Sequence, residues 1–427
     1  MPSDERLSSL LGGETADVAQ IQQLLLEKHS ILLSYWVGER HSYRWSITPG
    51  GISVEALPPS DRLERVMLPL EHMLQGRRPV PKSGEDISGY ILQERAFETQ
   101  LQTGLSRAGS MLLSRIPKAA HTVFVVGDGC LMPLPFAALR VSDDAGISYA
   151  LRKYNFFQEP SASVAVYLKQ HSVKEQALHI TIFADPVFSL SDPRLAAHAQ
   201  PHSASSHLLF ANMPRLIGST EEARYVSQDA PRGAVTLKTG FNAAPSEVRD
   251  LSAKDAVILH FATHTVTVSG HPEITGIALS MWNPEGKEQD GVFWLKDIYA
   301  LHLPSALVVL SGCGTDTQDS DSGEGLNNLA YAFFFAGAHS VVGSLWTVDD
   351  SAASGLMGIF YRELLLKHER ADEALREAQL KMLANPQTES PTAWASFVLE
   401  GWPAAFPIEQ NSAEGALSQA SLSMKGK

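Results

Sequence analysis

The sequence predicts an α/β fold: a mostly parallel sheet with helices on both faces. Two observations carry this. Between residues 179 and 400, short apolar runs alternate with segments of helical period. Several of those runs, His179–Ala184, Ala256–Ala262, Ala306–Leu310 and His339–Trp346, are apolar almost throughout, as strands buried on both faces must be. A third, the 44% hydrophobic and 19% charged composition of a 427-residue chain, allows a sizeable core with no disulfide or metal staple and room for two or three domains.

The elements follow in order. Residues 1–20 read as a flexible polar arm, running into a helix near Val18–Lys28. Ser30–Ile47 reads as a β-hairpin about Gly38-Glu39-Arg40, and Ile52–Leu57 as a further strand. Asp61–Gln75 and Gly89–Leu113 have helical period, with a Pro- and Gly-containing loop at Pro79–Glu85 between them. Thr122–Val126 is an apolar strand, Tyr149–Pro160 is strand-like, and Ser161–Gln170 is a short helix. This first unit, 21–170, precedes a second at 171–403.

The second unit opens with the strand ending at Ala184 and Asp185-Pro186. Phe188–Met213, rich in Ser, Ala, His and Pro, reads as an exposed loop, with Arg194 and Arg215 as basic sites in it or at its edge. Helix, strand and helix are expected at Ser219–Ser227, Ala234–Leu237 and Ala244–Leu251. A hairpin-like insert at Gly276–Trp294 separates the two apolar strands ending at Ala262 and Leu310. Helices at Leu326–Gly337, Ser351–Lys367 and Ala371–Leu383 and a last strand at Trp394–Leu399 complete the unit, with Asp349-Asp350 placed to cap the second helix. The polar tail 404–427 is expected to be disordered.

The net charge of −13 argues against nucleic acid and anionic membrane as partners. No apolar stretch reaches the roughly 18 residues of a membrane helix. Two cysteines, Cys130 and Cys313, make no disulfide framework and suit a reducing cytoplasm; zinc sites built from cysteine pairs are excluded by count. No metal or cofactor is implied.

Chemistry centres on Ser305–Thr315, SALVVLSGCGT, where a buried strand runs out into glycines bracketing Cys313. Gly312 and Gly314 permit a sharp turn and close approach of a ligand. The strand Ala256–Ala262 runs out into Thr263-His264-Thr265. If the two strands are parallel neighbours, His264 and Cys313 reach one carboxyl rim, where such sheets bind ligands. Imidazole beside thiol is a base–nucleophile pair. Either residue alone would more often be structural. Cys130 also follows a strand but lies in a Pro-rich turn with no histidine-terminated strand before it. Ser311 lacks a G-x-S-x-G elbow.

The motifs HFATH (260–264), VVLSGCGT (308–315), GEGL (323–326), AFFFAGAHSVVGSLWTVDD (332–350) and WASFVLEG (394–401), with VVGDGCLMPLPFAAL and YNFFQEPSAS upstream, resemble the CHAT family, peptidases of the caspase and separase kind. Histidine about 50 residues before cysteine is also the caspase order. The resemblance, over roughly residues 20–402, implies a caspase-like sheet in the second unit and a catalytically silent pseudo-caspase half in the first. It implies a cysteine endopeptidase with His264 as base, Cys313 as nucleophile, and the backbone N–H groups of Cys313 and Thr265 as oxyanion hole. Where the family has glycine after the histidine this chain has Thr265, whose β-branch would strain a φ > 0 conformation. Asp185, Asp316, Asp319 and Asp321 can form an acidic S1 subsite for Arg or Lys, or, as readily, a turn and a solvated loop. Expected partners are a protein substrate and a regulatory protein or upstream protease, with a role in bacterial defence or cell death implied by the resemblance alone. The alternative from another class is a pseudo-protease, an interaction scaffold without turnover.

Overall fold

A computed structural model describes residues 15–26, 29–75, 87–143, 146–171, 177–195, 213–252, 257–268, 271–302, 307–312 and 322–403. Cys313, Asp316, Asp319 and Asp321, the loop at Pro79–Glu85 and the tail 404–427 lie outside the described residues, as do residues 1–14 of the arm.

In chain order the first half contributes helix α1 (Val18–Leu25) and strands β1 (Ser30–Trp36), β2 (Ser42–Thr48) and β3 (Gly51–Leu57). Helices α2 (Ser60–Leu74) and α3 (Ile87–Leu112) follow, then β4 (Thr122–Val126), the hairpin β5 (Arg140–Asp143) and β6 (Gly146–Tyr149), β7 (Asn155–Gln158) and α4 (Ala162–Gln170). Asp17 starts α1 with a capping box: its carboxylate accepts from Gln20 N–H, and Gln20 Oε1 accepts from Asp17 N–H. The second half brings β8 (Ile180–Ala184), α5 (Gly218–Asp229), β9 (Val235–Thr239), β10 (Ile258–Ala262), β11 (Thr265–Val268), β12 (His271–Ala278) and β13 (Val292–Trp294). Then come β14 (Leu307–Leu310), α6 (Ser322–Ala336), β15 (Ser340–Ser344), α7 (Asp350–Leu366), α8 (Ala371–Ala384) and β16 (Phe397–Gly401).

One sheet runs through both halves in the order β3-β2-β1-β4-β7-β16-β15-β14-β10-β8-β9. It is parallel from β15 to β9 and from β1 to β7, with antiparallel pairing at β16–β15 and in the β1–β2–β3 meander. The strands β8, β10, β14 and β15 are buried along their whole length, as their near-continuous apolar runs require. The expected insert is larger than a hairpin. Its extra strand, β11, begins directly after His264, and its Thr-Val-Thr-Val alternation pairs with β12.

The LWTVDD block joins two helices. Asp349 caps α7, accepting from the N–H groups of Ser351 and Ala352. Asp350, expected to share that cap, instead accepts from the N–H of Gly218 at the start of α5, at 2.5 Å.

The halves meet where β16 pairs with β7, Glu400 opposite Gln158. Glu400 is buried there, and burial pushes its carboxyl up to about 8. Glu159, next along, is raised by burial and then by the Glu400 charge. Because the folded value exceeds the unfolded one, this contribution to stability is complete below about pH 4.5 and is lost as pH rises toward 8. Glu400→Gln is therefore expected to flatten the fall in stability between about pH 5 and 8, a change of a few kcal/mol at pH 8 by urea unfolding.

Candidate active site

β10 and β14 are parallel neighbours, with Ile258 opposite Leu307 and Phe261 opposite Leu310. That offset is the separation between His264 and Cys313. Contact continues past the paired residues: Ser311 N–H donates to Phe261 C=O at 3.1 Å. Gly312 lies so close to Thr263 that a Cβ would stand 2.1 Å from the Thr263 carbonyl oxygen. Only glycine permits that approach. On the other side of β10 lies β8, which ends at Ala184 and runs out into Asp185. Three strand ends thus share one carboxyl rim: Ser311-Gly312, Thr263-His264 and Asp185.

His264 is buried, its ring against Phe188 at 5.3 Å. A small apolar cluster, including Val187, Phe188, Leu195, Val266 and Trp282, holds the 187–195 segment against the β11–β13 insert and walls this end of the site. His264 Nε2 lies 2.8 Å from the Pro214 carbonyl oxygen. A carbonyl only accepts, so Nε2 carries the proton and Nδ1 is the basic nitrogen of the neutral ring. Pro214 has no side-chain signature for this task, and sequence reading missed it.

The backbone beside His264 is fixed by its pairing with β12. Ala278 N–H donates to His264 C=O at 2.8 Å, which makes 264 and 278 a hydrogen-bonded pair. Thr265 and Ile277 are then the intervening non-bonded pair, and the Thr265 N–H points away from β12. Thr265 is extended at the start of β11 and is absent from the residues with positive φ. The strain expected of a β-branched residue here does not arise.

Asp185 is buried, with φ +49°, a left-handed conformation uncommon outside glycine. Its carboxylate accepts from Arg215 Nε and Nη2, both at 2.7 Å, and from Arg194 Nη1 at 3.0 Å and Nη2 at 3.3 Å. Arg194 also binds Asp192, whose carboxyl that bond holds below its usual range. The two arginines, read from sequence as exposed basic sites, are committed to this cluster and fill the carboxylate's acceptor positions. Arg215 is the more exposed, at 42% of its side chain against 24% for Arg194.

Beneath the rim lies a polar network also missed by sequence reading. His260, on β10, is fully buried. Its Nδ1 is 2.7 Å from Tyr361 Oη on α7, and its Nε2 is 3.2 Å from Ser311 Oγ. Glu222 Oε1 on α5 lies 2.7 Å from the same Nε2, off the hydrogen-bonding axis. Burial, then the Glu222 charge, keeps Tyr361 protonated, so its hydroxyl and Nδ1 share a hydrogen bond. The network ties α5 and α7 to the strand end two residues before Cys313.

Cys130 is half-buried in a 3-10 turn, and burial followed by the Glu64 charge pushes its thiol up to about 11. It is a poor nucleophile near neutral pH.

Residues 92–402 match the CHAT domain. The chain belongs to the CHAT family. Among curated relatives, tetratricopeptide repeat protein 28 of Homo sapiens is 26% identical over 347 residues, covering 73% of this chain and 13% of that protein. The chain thus spans about an eighth of that relative's length. The Saccharomyces cerevisiae separase–securin complex superposes with a TM-score of 0.54 at 10% identity, over 90% of this chain and 31% of that one. The pro- and mature domains of Porphyromonas gingivalis RgpB align with a TM-score of 0.41 at 11% identity, over 81% and 77% of the two chains. The large, mostly parallel sheet flanked by helices is similar to the caspase-like fold of separase. No helix among the described residues is long and apolar enough to cross a membrane.

Removing one member of the buried network strands the others. Glu222→Ala and His260→Ala are each expected to cost about 3–5 kcal/mol by urea unfolding, and Tyr361→Phe about 1–2 kcal/mol.

Proposed function

We propose that the chain is a cysteine endopeptidase in which His264 activates Cys313. The observation that carries this is the β10–β14 register, whose offset matches the separation of these two residues. Nδ1 of His264 takes the Cys313 proton, or holds a thiolate ready, while the Pro214 carbonyl fixes the ring through Nε2. The sulfur attacks the scissile carbonyl. The backbone N–H groups of Cys313 and Thr265 hold the oxyanion, and the orientation of the Thr265 N–H supports its part. His264 then protonates the leaving amine, and water releases the acyl group.

For specificity we propose an acidic S1 subsite of Asp185 with Asp316, Asp319 and Asp321. A substrate guanidinium reaches Asp185 only by displacing Arg215, because the carboxylate is already filled. Control by a regulatory protein or an upstream protease, in a cytoplasmic defence or cell-death role, is part of the same reading. The description of separase in complex with securin supports the regulatory partner. The relative bearing tetratricopeptide repeats in its name favours a second reading, a scaffold that keeps the fold without turnover.

Mass spectrometry of a diverse peptide pool incubated with the chain separates these. Cleavage after Arg or Lys is expected, abolished in Cys313→Ala and slowed on the order of a thousandfold in His264→Ala. Cleavage that survives Cys313→Ala refutes the nucleophile. Cleavage only after Asp or apolar residues refutes the acidic subsite, and no cleavage by the wild type favours the scaffold.

A further inference from the structure

A second cavity, apart from this rim, is open to solvent and holds about 1110 Å³ between the end of α3, the β5–β6 hairpin, the turn at 152–154 and α8. Six cations line it: Arg115, Lys118, Arg140, Arg152, Lys153 and Arg376. Among its described lining residues there is no carboxylate, although the chain as a whole carries a charge of −13. Like charges gathered from four separate segments give this cavity a locally positive potential on an otherwise acidic chain.

The cavity is built rather than incidental. Gly109 lets α3 approach β5 so closely that a Cβ there would stand 2.0 Å from the Arg140 carbonyl oxygen. Buried Arg44 binds the carbonyls of Leu112 and Ser114, at 2.6 and 2.8 Å, and fixes the wall that carries Arg115. Arg376 Nε and Nη2 donate to the carbonyls of Leu151 and Arg152, both at 3.1 Å, which holds its guanidinium at the mouth. The carboxylates paired with two of the arginines stand at the edge of hydrogen-bonding range, Arg115 to Glu55 at 3.5 Å and Arg376 to Glu377 at 3.7 Å. Arg140 Nε is buried with no hydrogen-bond partner.

We propose that this cavity binds a small, multiply phosphorylated anion of about nucleotide size. Several guanidinium forks suit phosphate oxygens, and six cations call for more than one negative group. The volume suits a small molecule. A polymer is disfavoured by the adjoining depression of about 480 Å³, where Glu369, Asp372, Glu373 and Glu377 line the far side of Arg376 and would repel a continuing phosphate chain. Tyr154 adds an aromatic face within the cavity. Arg376 belongs to the second half and the other five cations to the first, so the bound anion bridges the two halves. None of this depends on the peptidase reading.

Isothermal titration of the full chain at low salt with ATP and, separately, sodium tripolyphosphate tests it. Saturable binding of at least one is expected, weakened about tenfold or more by Arg140→Gln and by the exposed pair Lys118→Gln with Arg152→Gln, and unchanged by Arg224→Gln on α5. Tighter binding of ATP identifies a nucleotide, and equal binding a bare oligophosphate. The proposal is overturned if neither saturates at millimolar concentration, if affinity ignores the cavity substitutions, or if a single-stranded RNA oligonucleotide binds the cavity more tightly than both.

Discussion

The site rests on one alignment, the parallel pairing of β10 with β14. A side chain at a strand's end is aimed by the register of the strand beneath it, and a slip of one residue would turn it to the opposite face. Here the register is locked by apolar residues buried on both faces and by the close approach of Gly312 to Thr263. A side chain at 312 would force the two strand ends apart. Hydrophobic burial thus sets the geometry on which any chemistry at this rim depends.

Polar interactions refine that geometry from above and below. The Pro214 carbonyl selects one tautomer of His264, while the ion pairs of Arg194 and Arg215 hold Asp185 in its left-handed backbone. Pro214 and Arg215 are adjacent, so the salt bridge and the histidine contact fix the same short segment before α5. Below, Glu222, His260, Tyr361 and Ser311 join β10 and β14 to the two helices that Asp350 also links. Buried groups so connected are costly to leave unpaired, which makes the arrangement close to all-or-none.

Much of the fold could be read from the residues. The β4 strand was legible to the residue, and the buried strands to within one or two, because unbroken apolar runs admit few alternatives. β11 was overlooked although Thr265–Val268 alternates in polarity, since its partner β12 is distinguishable only once the chain has turned back. The candidate histidine was legible from its place after a buried strand. Pro214 was not, because a carbonyl acceptor is common to every residue type. The arginines at Asp185 and the His260 network were hidden for a related reason: pairing across tens or hundreds of residues is decided by topology, not by local pattern. The gathering of cations from four segments around one cavity is invisible for the same cause.

Membership of the CHAT family and the separase-like sheet supply the frame within which these residues act. What distinguishes an enzyme from a scaffold on that frame is whether the imidazole draws the proton from the sulfur. The most direct measurement is the rate of iodoacetamide alkylation of each cysteine near neutral pH, in the wild type and in His264→Ala. The account predicts that Cys313 reacts at least about tenfold faster than Cys130, whose thiol is pushed up to about 11, and that this advantage disappears in His264→Ala. Equal slow alkylation of both cysteines, or a fast Cys313 indifferent to His264, would contradict it.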